Sequence, residues 1–272
     1  MNVKALCAYL KVSRSGYYKW KKSPESKLER ENQYIMEILM NEFIASNQQA
    51  GYRSLTMILR RNHGLIVNHK RVRRLMRKLG IASIIRRKRK NCTISSEQEA
   101  AENILNRNFK AEKPNEKWVT DVTYLSYGNN QKAYFSAVKD LYGGKIISYA
   151  VSKRNDNFLV LSTIKSALES NPEAKPLLHS DRGFQYTSQQ YSKLLSDNGI
   201  RKSMSRVGKC IDNAPMESFW GHYKDEAYNH IKFESYEDLV KSIDNYVEYY
   251  NDRRYQWKLN SLTPTEYQDQ AA

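Results

Sequence analysis

The segment Lys117–Tyr127, KWVTDVTYLSY, combines the composition of a β-strand with a single carboxylate in its middle. Trp, Val, Thr and Tyr favour strands, and counting by twos puts Asp121 on one face with Val119 and Leu125. A carboxylate on an otherwise apolar strand face costs free energy unless it meets a cation or hydrogen-bond donors. Asp121 is therefore a better candidate for a metal ligand than an aspartate on a surface.

Strand and helix patterns continue beyond this segment. Residues 133–138 and 145–151 are typical of two further strands, residues 157–170 carry a helical apolar stripe, and a short apolar run ends in Asp181. This order predicts an α/β fold with a mixed sheet, in which ligands lie near strand ends. Asp181 would occupy such an end, although the following Arg182 and Gly183 make a turn-forming aspartate an equal alternative.

A third acidic residue, Glu217, lies in the segment DNAPMESFWGHYKDE. Asp212 is expected to cap a helix there, and Asn213, Glu217 and Lys224 fall along one side of it. A carboxylate beside a cation on one face could bind metal and hold a phosphate. The alternative is an ordinary glutamate on a helix surface, and Asp212 and Glu226 compete with Glu217 as ligands.

Asp121, Asp181 and Glu217 thus lie in three differently patterned segments, with thirty-five residues between the second and the third. Enzymes that transfer phosphoryl groups with two metal ions place carboxylates on several elements that converge on the ions. Oxygen ligands of this kind favour Mg²⁺ or Mn²⁺ over zinc. The spacing therefore predicts a nuclease or strand-transfer site with two such ions.

The charge of the chain is concentrated in its first third. Residues 1–90 hold 22 Lys and Arg against 5 Asp and Glu, a net charge of +17, whereas residues 91–272 have a net charge of −1. The basic part predicts binding to a polyanion, above all nucleic acid. A membrane surface is a weaker alternative because no long apolar run accompanies the charge. The first ten residues lack the apolar core of a signal peptide, so we expect a cytoplasmic protein.

The basic part is patterned as helices. A short helix-turn-helix is expected in residues 1–24 and a basic helical DNA-binding domain in residues 25–90. Its sharpest helix begins after Asn68 and ends at Gly80, with an apolar stripe and basic remaining faces. The expected phosphate contacts on and after this helix are Lys70, Arg71, Arg73, Arg74, Arg77, Lys78, Arg86, Arg87 and Lys88. Residues 91–112 are expected to be a linker and residues 113–272 the catalytic domain.

The blocks KWVTDVTYL, LLHSDRGFQYTS and SRVGKCIDNAPMESFWGHYKDE resemble the signatures of the integrase-type DDE transposases of the insertion sequence three family, specifically the product of their second reading frame. Weaker blocks, VSRSGYYKW, GYRSL and NSLTPTEY, extend the resemblance over nearly the whole chain.

The resemblance implies an RNase H-like catalytic core in which Asp121, Asp181 and Glu217 hold two Mg²⁺ or Mn²⁺ ions. Such an enzyme cleaves transposon ends and joins the freed 3′-hydroxyl to target DNA. The same blocks make Arg206, Lys209 and Lys224 expected DNA contacts and His179, Gln185 and Asn213 supporting residues of the motif.

The partners implied by the resemblance are transposon-end DNA, target DNA and further copies of the chain on DNA. The active species could also be a frameshift fusion with an upstream reading frame, and a bacterial, nucleoid-associated location without membrane contact is expected. Two alternatives remain open from the sequence, a non-enzymatic DNA-binding regulator that uses residues 1–90 and an inactive transposase remnant.

Overall fold

A computed structural model of the chain describes residues 2–85, 102–206 and 210–271. The chain divides into two compact units, residues 1–83 and 84–272. Four of the expected DNA contacts, Arg86, Arg87, Lys88 and Lys209, lie outside the described residues. Among the residues that are described, no helix is both long and apolar enough to cross a bilayer.

The first unit is helical, as its apolar periodicity predicts. Its helices are α1 (Val3–Tyr9), α2 (Arg14–Lys22), α3 (Lys27–Ala45), α4 (Tyr52–His63) and α5 (His69–Leu79). The last three of these pack around a core in which Leu39, Leu55 and Leu75 are almost fully buried. A capping box in which Ser26 and Glu29 bind each other's backbone amides begins α3.

The ends of α5 follow from two residues. The side chain of Asn68 accepts a hydrogen bond of 2.8 Å from the amide of Lys70, which caps the first turn. Gly80 ends the helix in the left-handed region with φ 69°, which favours glycine because it lacks a Cβ atom. Val72 and Leu75 are buried on the core side, so the basic faces of α5 are turned away from the core.

The second unit is built on one mixed sheet. Its strands are β1 (Lys117–Tyr127), β2 (Gln131–Asp140), β3 (Ile146–Ser152), β4 (Leu177–Ser180) and β5 (Arg201–Met204), and their order is β3-β2-β1-β4-β5. The first three strands pair antiparallel, and β4 pairs parallel with both β1 and β5. The mixed α/β sheet that the sequence predicts is therefore confirmed.

Helices cover both faces of the sheet. They are α6 (Asn157–Glu169), α7 (Phe184–Thr187), α8 (Gln189–Asp197), α9 (Ala214–Tyr223), α10 (Tyr236–Glu248) and α11 (Pro264–Asp269). One core joins α9 and α10 to the face of β1 that carries Val119 and Leu125. The other joins α6 and α8 to the face that carries Trp118. β1 therefore lies between two apolar cores, one on each face of the sheet, and this packing fixes the positions of its side chains.

Part of the expected linker belongs to the second unit. In residues 102–112, Leu105 is only 2% exposed and lies in the core beneath α9. Its amide donates a hydrogen bond of 3.0 Å to Oγ of Ser203, and Asn103 donates one of 2.9 Å to Asp212. Residues 102–112 of the expected linker therefore pack on the second unit through this apolar side chain, whereas residues 91–101 lie outside the described residues.

Candidate active site

The parallel pairing of β1 and β4 brings the first two predicted acids together at the point where β4 ends. Val119 of β1 lies opposite His179 of β4. Continuing this register by two residues places Asp121 beside Asp181, which directly follows the last residue of β4. Two carboxylates that are sixty residues apart in the sequence thus become neighbours.

Asp121 is held from both sides. Its Oδ2 accepts a hydrogen bond of 3.0 Å from the indole of Trp220, and its Oδ1 accepts one of 2.8 Å from the amide of Val122. Burial and the negative charge of Asp181, with a smaller effect from Glu217, raise the pKa of Asp121 to about 7 in spite of these donors. The site therefore concentrates negative charge that a cation would relieve.

Asp181 lies in a tight turn as well as at a strand end. Its Oδ1 accepts a hydrogen bond of 2.9 Å from the amide of Gly183, while burial of the carboxylate raises its pKa. A Cβ atom on Gly183 would lie 2.9 Å from Oε1 of Gln185 and 3.1 Å from Oδ1 of Asp181. Both alternatives from the sequence thus apply to one residue, since Asp181 shapes the turn and faces Asp121.

Glu217 is exposed in the first turn of α9, the helix that also carries Trp220. Its charge contributes to the raised pKa of Asp121. Within the described parts of the chain, however, no three His, Cys, Asp or Glu side chains are grouped closely enough to hold a metal ion. The structure thus pairs the two aspartates, and the convergence of all three acids stays a prediction.

Asp212, the first competing acid, is fully buried and serves the fold. Arg206 donates two hydrogen bonds of 2.9 Å to its carboxylate, and Arg107 donates a third of 2.7 Å. The hydrogen bonds of Arg206, opposed by burial, hold the pKa of Asp212 well below its usual range. The expectation that Asp212 caps α9 is wrong, because Asn213 occupies that position and Asp212 lies in a 3₁₀ turn, Cys210–Asn213.

Glu226, the second competing acid, is also engaged elsewhere. It lies in a π-helical turn, Lys224–Tyr228, and forms an ion pair of 2.6 Å with Arg254. Tyr246 donates a further hydrogen bond of 3.0 Å to it. Burial alone would raise the pKa of Glu226. The hydrogen bond from His222 and the charge of Arg254 outweigh this effect and hold the pKa of Glu226 well below its usual range. Neither competing acid is directed at the paired aspartates.

Lys224 supplies positive charge next to the carboxylates. It begins the π-helical turn after α9, and its Nζ donates a hydrogen bond of 2.8 Å to Oγ1 of Thr123. Thr123 lies two residues beyond Asp121 on the same face of β1. Burial lowers the pKa of Lys224, and the charge of Asp121 opposes that shift.

The three supporting residues of the motif occupy buried positions around the site. His179 lies between Oγ of Ser203 at 2.9 Å and Oγ of Ser205 at 3.1 Å, and burial lowers its pKa to about 4. It is therefore neutral at physiological pH and ties β4 to β5. The other two supporting residues are Gln185 and Asn213. Gln185 donates a hydrogen bond to Asn155, and Asn213 donates one of 3.1 Å to the carbonyl oxygen of Thr120.

Two neighbours of the aspartates were not identified from the sequence. Trp220 lies in the segment that carries Glu217, and its hydrogen bond to Asp121 was not predicted. Tyr186 is buried with its hydroxyl 3.3 Å from Oγ1 of Thr120, and burial raises its pKa well above the usual range. A usable signal existed for Trp220, since a buried indole N–H requires an acceptor.

The expected DNA contacts of the first unit divide into two groups. Lys70, Arg73, Arg74, Arg77 and Lys78 are exposed on α5. Arg71 is half-buried and donates hydrogen bonds of 2.9 Å to Glu31 and Asn32 of α3. Arg71 thus joins two helices of its own unit. Arg206 has a similar internal role, because its guanidinium binds Asp212 as described above.

Family comparisons agree with this division into two units. Residues 29–89 match the family described as HTH-like domain, and residues 111–210 and 198–264 match two families described as Integrase core domain.

Curated relatives cover most of the chain. It is 42% identical over 221 residues to the putative transposase InsK for insertion sequence element IS150 of Escherichia coli. This match covers 81% of this chain and 77% of InsK. It is 31% identical to the transposase InsF for insertion sequence IS3A of the same organism, over 98% of this chain and 94% of InsF.

Among solved structures, the chain is similar to a cryo-EM structure of the simian T-cell lymphotropic virus intasome. The TM-score is 0.52 at 14% identity, and the match covers 86% of this chain and 74% of the other. At this identity the likeness concerns the fold, which is that of an RNase H-like integrase core, preceded in the sequence by a helical region.

Proposed function

The chain belongs to the insertion sequence three family of transposases, with the integrase core of a polynucleotidyl transferase, and on this premise we propose that it cleaves transposon-end DNA and joins the 3′-hydroxyl to target DNA. The observation that supports this most is the closeness of Asp121 and Asp181 where β4 ends, which follows from the register of β1 and β4 and from the effect of Asp181 on the pKa of Asp121. The negative charge of Glu217 also contributes to the raised pKa of Asp121.

The carboxylate oxygen atoms of the site suit divalent cations. Paired carboxylates repel each other and are stabilised by a cation between them, and their oxygen atoms are the ligands that Mg²⁺ and Mn²⁺ prefer. In this proposal Asp121, Asp181 and Glu217 would hold two such ions, with the exposed side chain of Glu217 turning towards the aspartates. Asp212 and Glu226 are excluded as ligands by their ion pairs with arginines.

When bound, the ions would activate the attacking hydroxyl and stabilise the leaving oxygen. The residues of the chain orient this chemistry. Trp220 fixes one oxygen of Asp121 and leaves the carboxylate unable to rotate freely. Lys224 places an ammonium group beside Thr123, where it would bind a phosphate of the DNA.

The first unit would supply affinity for DNA. The exposed basic side chains of α5 suit phosphate contacts, as in other helix-turn-helix proteins whose second helix enters the major groove. The remaining expectations, assembly of several copies on DNA, fusion with an upstream reading frame and a nucleoid-associated location, are part of the same proposal.

The test is Mg²⁺-dependent cleavage and joining of labelled DNA that carries the ends of the element. We expect activity from this chain or from its fusion with the upstream frame, and none after Asp121→Asn. Asp197→Asn, which changes an exposed carboxylate at the end of α8, is the matched control and should remain active. Undiminished cleavage by Asp121→Asn, or no cleavage by either wild-type form, would reject the proposed function.

A further inference from the structure

An exposed aromatic ring lies close to the paired aspartates without a role in the proposed chemistry. Tyr124 of β1 is 62% exposed, three residues beyond Asp121. At about 3.3 Å per residue, this is a distance of about 10 Å along the strand. Tyr124 lies on the opposite face of β1 from Asp121 and Thr123, because side chains alternate along a strand.

Two lysines approach this ring. Nζ of Lys132 lies 5.5 Å from the ring centroid of Tyr124, and Nζ of Lys224 lies 5.6 Å from it. Lys132 comes from the paired strand, where it lies opposite Ser126 and therefore diagonal to Tyr124. Lys224 comes from the π-helical turn that follows α9.

The second lysine connects the ring to the active site. Nζ of Lys224 donates a hydrogen bond of 2.8 Å to Oγ1 of Thr123 and also lies 5.6 Å from the ring centroid of Tyr124. A ligand on the ring would therefore share an ammonium group with a phosphate bound beside Asp121.

The simplest alternative is a surface tyrosine that merely packs against lysine side chains. Cation–π contacts account for one lysine on a ring. Two ammonium groups within 5.5 and 5.6 Å of one exposed ring concentrate positive charge there, and an anion bound beside the ring would be stabilised by both. An exposed ring flanked by cations is the combination by which proteins bind unpaired nucleotides, through base stacking and phosphate contacts.

We propose that Tyr124, Lys132 and Lys224 form a subsite for one unpaired nucleotide of the DNA next to the scissile phosphate, with the base stacked on the ring and its phosphates between the lysines. This inference rests on the proposed function, because it assigns DNA to the neighbouring carboxylates. The base must be unpaired, since both faces of a base inside a duplex are covered by its neighbours. The subsite is independent of base identity, because every base offers a π-face.

The probe is a forked DNA duplex with 2-aminopurine as the first unpaired base, compared with a fully paired duplex that carries it at the same position. Fluorescence is recorded with the full chain in EDTA, so that no strand is cut. Stacking on Tyr124 should quench the 2-aminopurine fluorescence of the forked DNA and leave that of the fully paired duplex unchanged. This signal is local, so DNA bound only by the first unit does not produce it.

Three variants separate the ring from its surroundings. Tyr124→Phe keeps the ring and should quench like the wild type. Tyr124→Ala should lose the quenching and bind the fork about 5- to 150-fold more weakly, the range expected for one base stacked on an aromatic ring. Phe158→Ala, which removes another highly exposed ring of the same unit, is the matched control. Equal quenching by Tyr124→Ala and wild type, or equal quenching of fork and paired duplex, would overturn the subsite.

The outcome is distinct from that of the cleavage experiment. If quenching depends on Tyr124 while neither the chain nor its fusion cleaves DNA, the proposed function fails and the nucleotide subsite stands. If cleavage depends on Asp121 while quenching is indifferent to Tyr124, the subsite alone is wrong. Equal thermal unfolding midpoints for Tyr124→Ala and wild type confirm that the substitution leaves the fold intact.

Discussion

The indole of Trp220 donates a hydrogen bond of 3.0 Å to Oδ2 of Asp121, which joins helix α9 to the carboxylate on the middle strand of the sheet, β1. Trp220 is also buried against Phe135, with 4.8 Å between ring centroids. The same side chain therefore packs α9 on the sheet and orients the proposed metal ligand.

Trp220→Phe should separate these two roles. Phenylalanine keeps most of the packing and removes the only N–H group of the side chain. Because a hydrogen bond to a charged group contributes about 1.5–3 kcal/mol, we expect DNA cleavage to be about 10- to 100-fold slower. The rate is measured at saturating DNA, with circular dichroism to verify folding. A rate equal to that of the wild type would show that the indole only packs.

The ion pair between Glu226 and Arg254, whose side chains are only 10% and 19% exposed, predicts a strongly non-additive effect on stability. Removing one partner leaves the other, largely buried charge without its main counter-ion, so Glu226→Gln or Arg254→Met should each lower the free energy of unfolding by about 3 kcal/mol. The double variant should regain much of the loss. Urea unfolding of the four proteins measures this coupling, and additive losses would contradict it.

Asp140 predicts a pH dependence of stability. Its carboxylate is fully buried, and burial raises its pKa to about 6 despite hydrogen bonds from Asn115, Tyr142 and Gln268. Because the folded pKa exceeds the unfolded value of about 4, its contribution to stability is fully present below pH 4 and is lost as the pH rises through 6.

Asp140→Asn removes this titration. Between pH 4 and pH 7 the variant should gain about 2 kcal/mol in unfolding free energy relative to the wild type. Urea unfolding at several pH values gives the difference, and Asp197→Asn controls for the substitution itself. A constant difference across this range would show that the carboxylate does not titrate there.

Two arginines of α5 should behave differently towards DNA. Arg74 is exposed, so Arg74→Ala should weaken binding uniformly across sequences and reduce the salt slope of the affinity by about 1. Arg71 binds Glu31 and Asn32 instead, so Arg71→Ala should lower the thermal unfolding midpoint and leave the slope nearly unchanged. Titrations of duplex DNA at several salt concentrations test both, and equal slopes for the two variants would refute the distinction.

Local patterns predicted those elements whose residues interact with near neighbours in the sequence. The bounds of β1 and the caps of α5 at Asn68 and Gly80 are examples, since strand alternation and capping act over a few residues. The pattern of β5 was not recognised, because its four residues, RKSM, are mostly polar and are made a strand by β4 beside them.

The features that the sequence did not predict depend on distant partners. Asp212 was expected to cap a helix, but Arg107, 105 residues away, helps to bind it in an ion pair. The indole of Trp220 meets Asp121 across 99 residues. Leu105 packs beneath α9 although its surroundings are polar. Periodicity records which face of an element is apolar and contains no information on which remote group will satisfy a polar atom.

The central claim is that Asp121, Asp181 and Glu217 share divalent ions, and cleavage of the polypeptide by bound Fe²⁺ tests it most directly. Fe²⁺ in place of Mg²⁺, with ascorbate and peroxide, generates radicals that cut the backbone beside the ion. We predict cuts near residues 121, 181 and 217 together, suppressed by excess Mg²⁺ and absent from Asp121→Asn. Cuts that miss one of these three segments, or that persist in Asp121→Asn, would contradict a shared site.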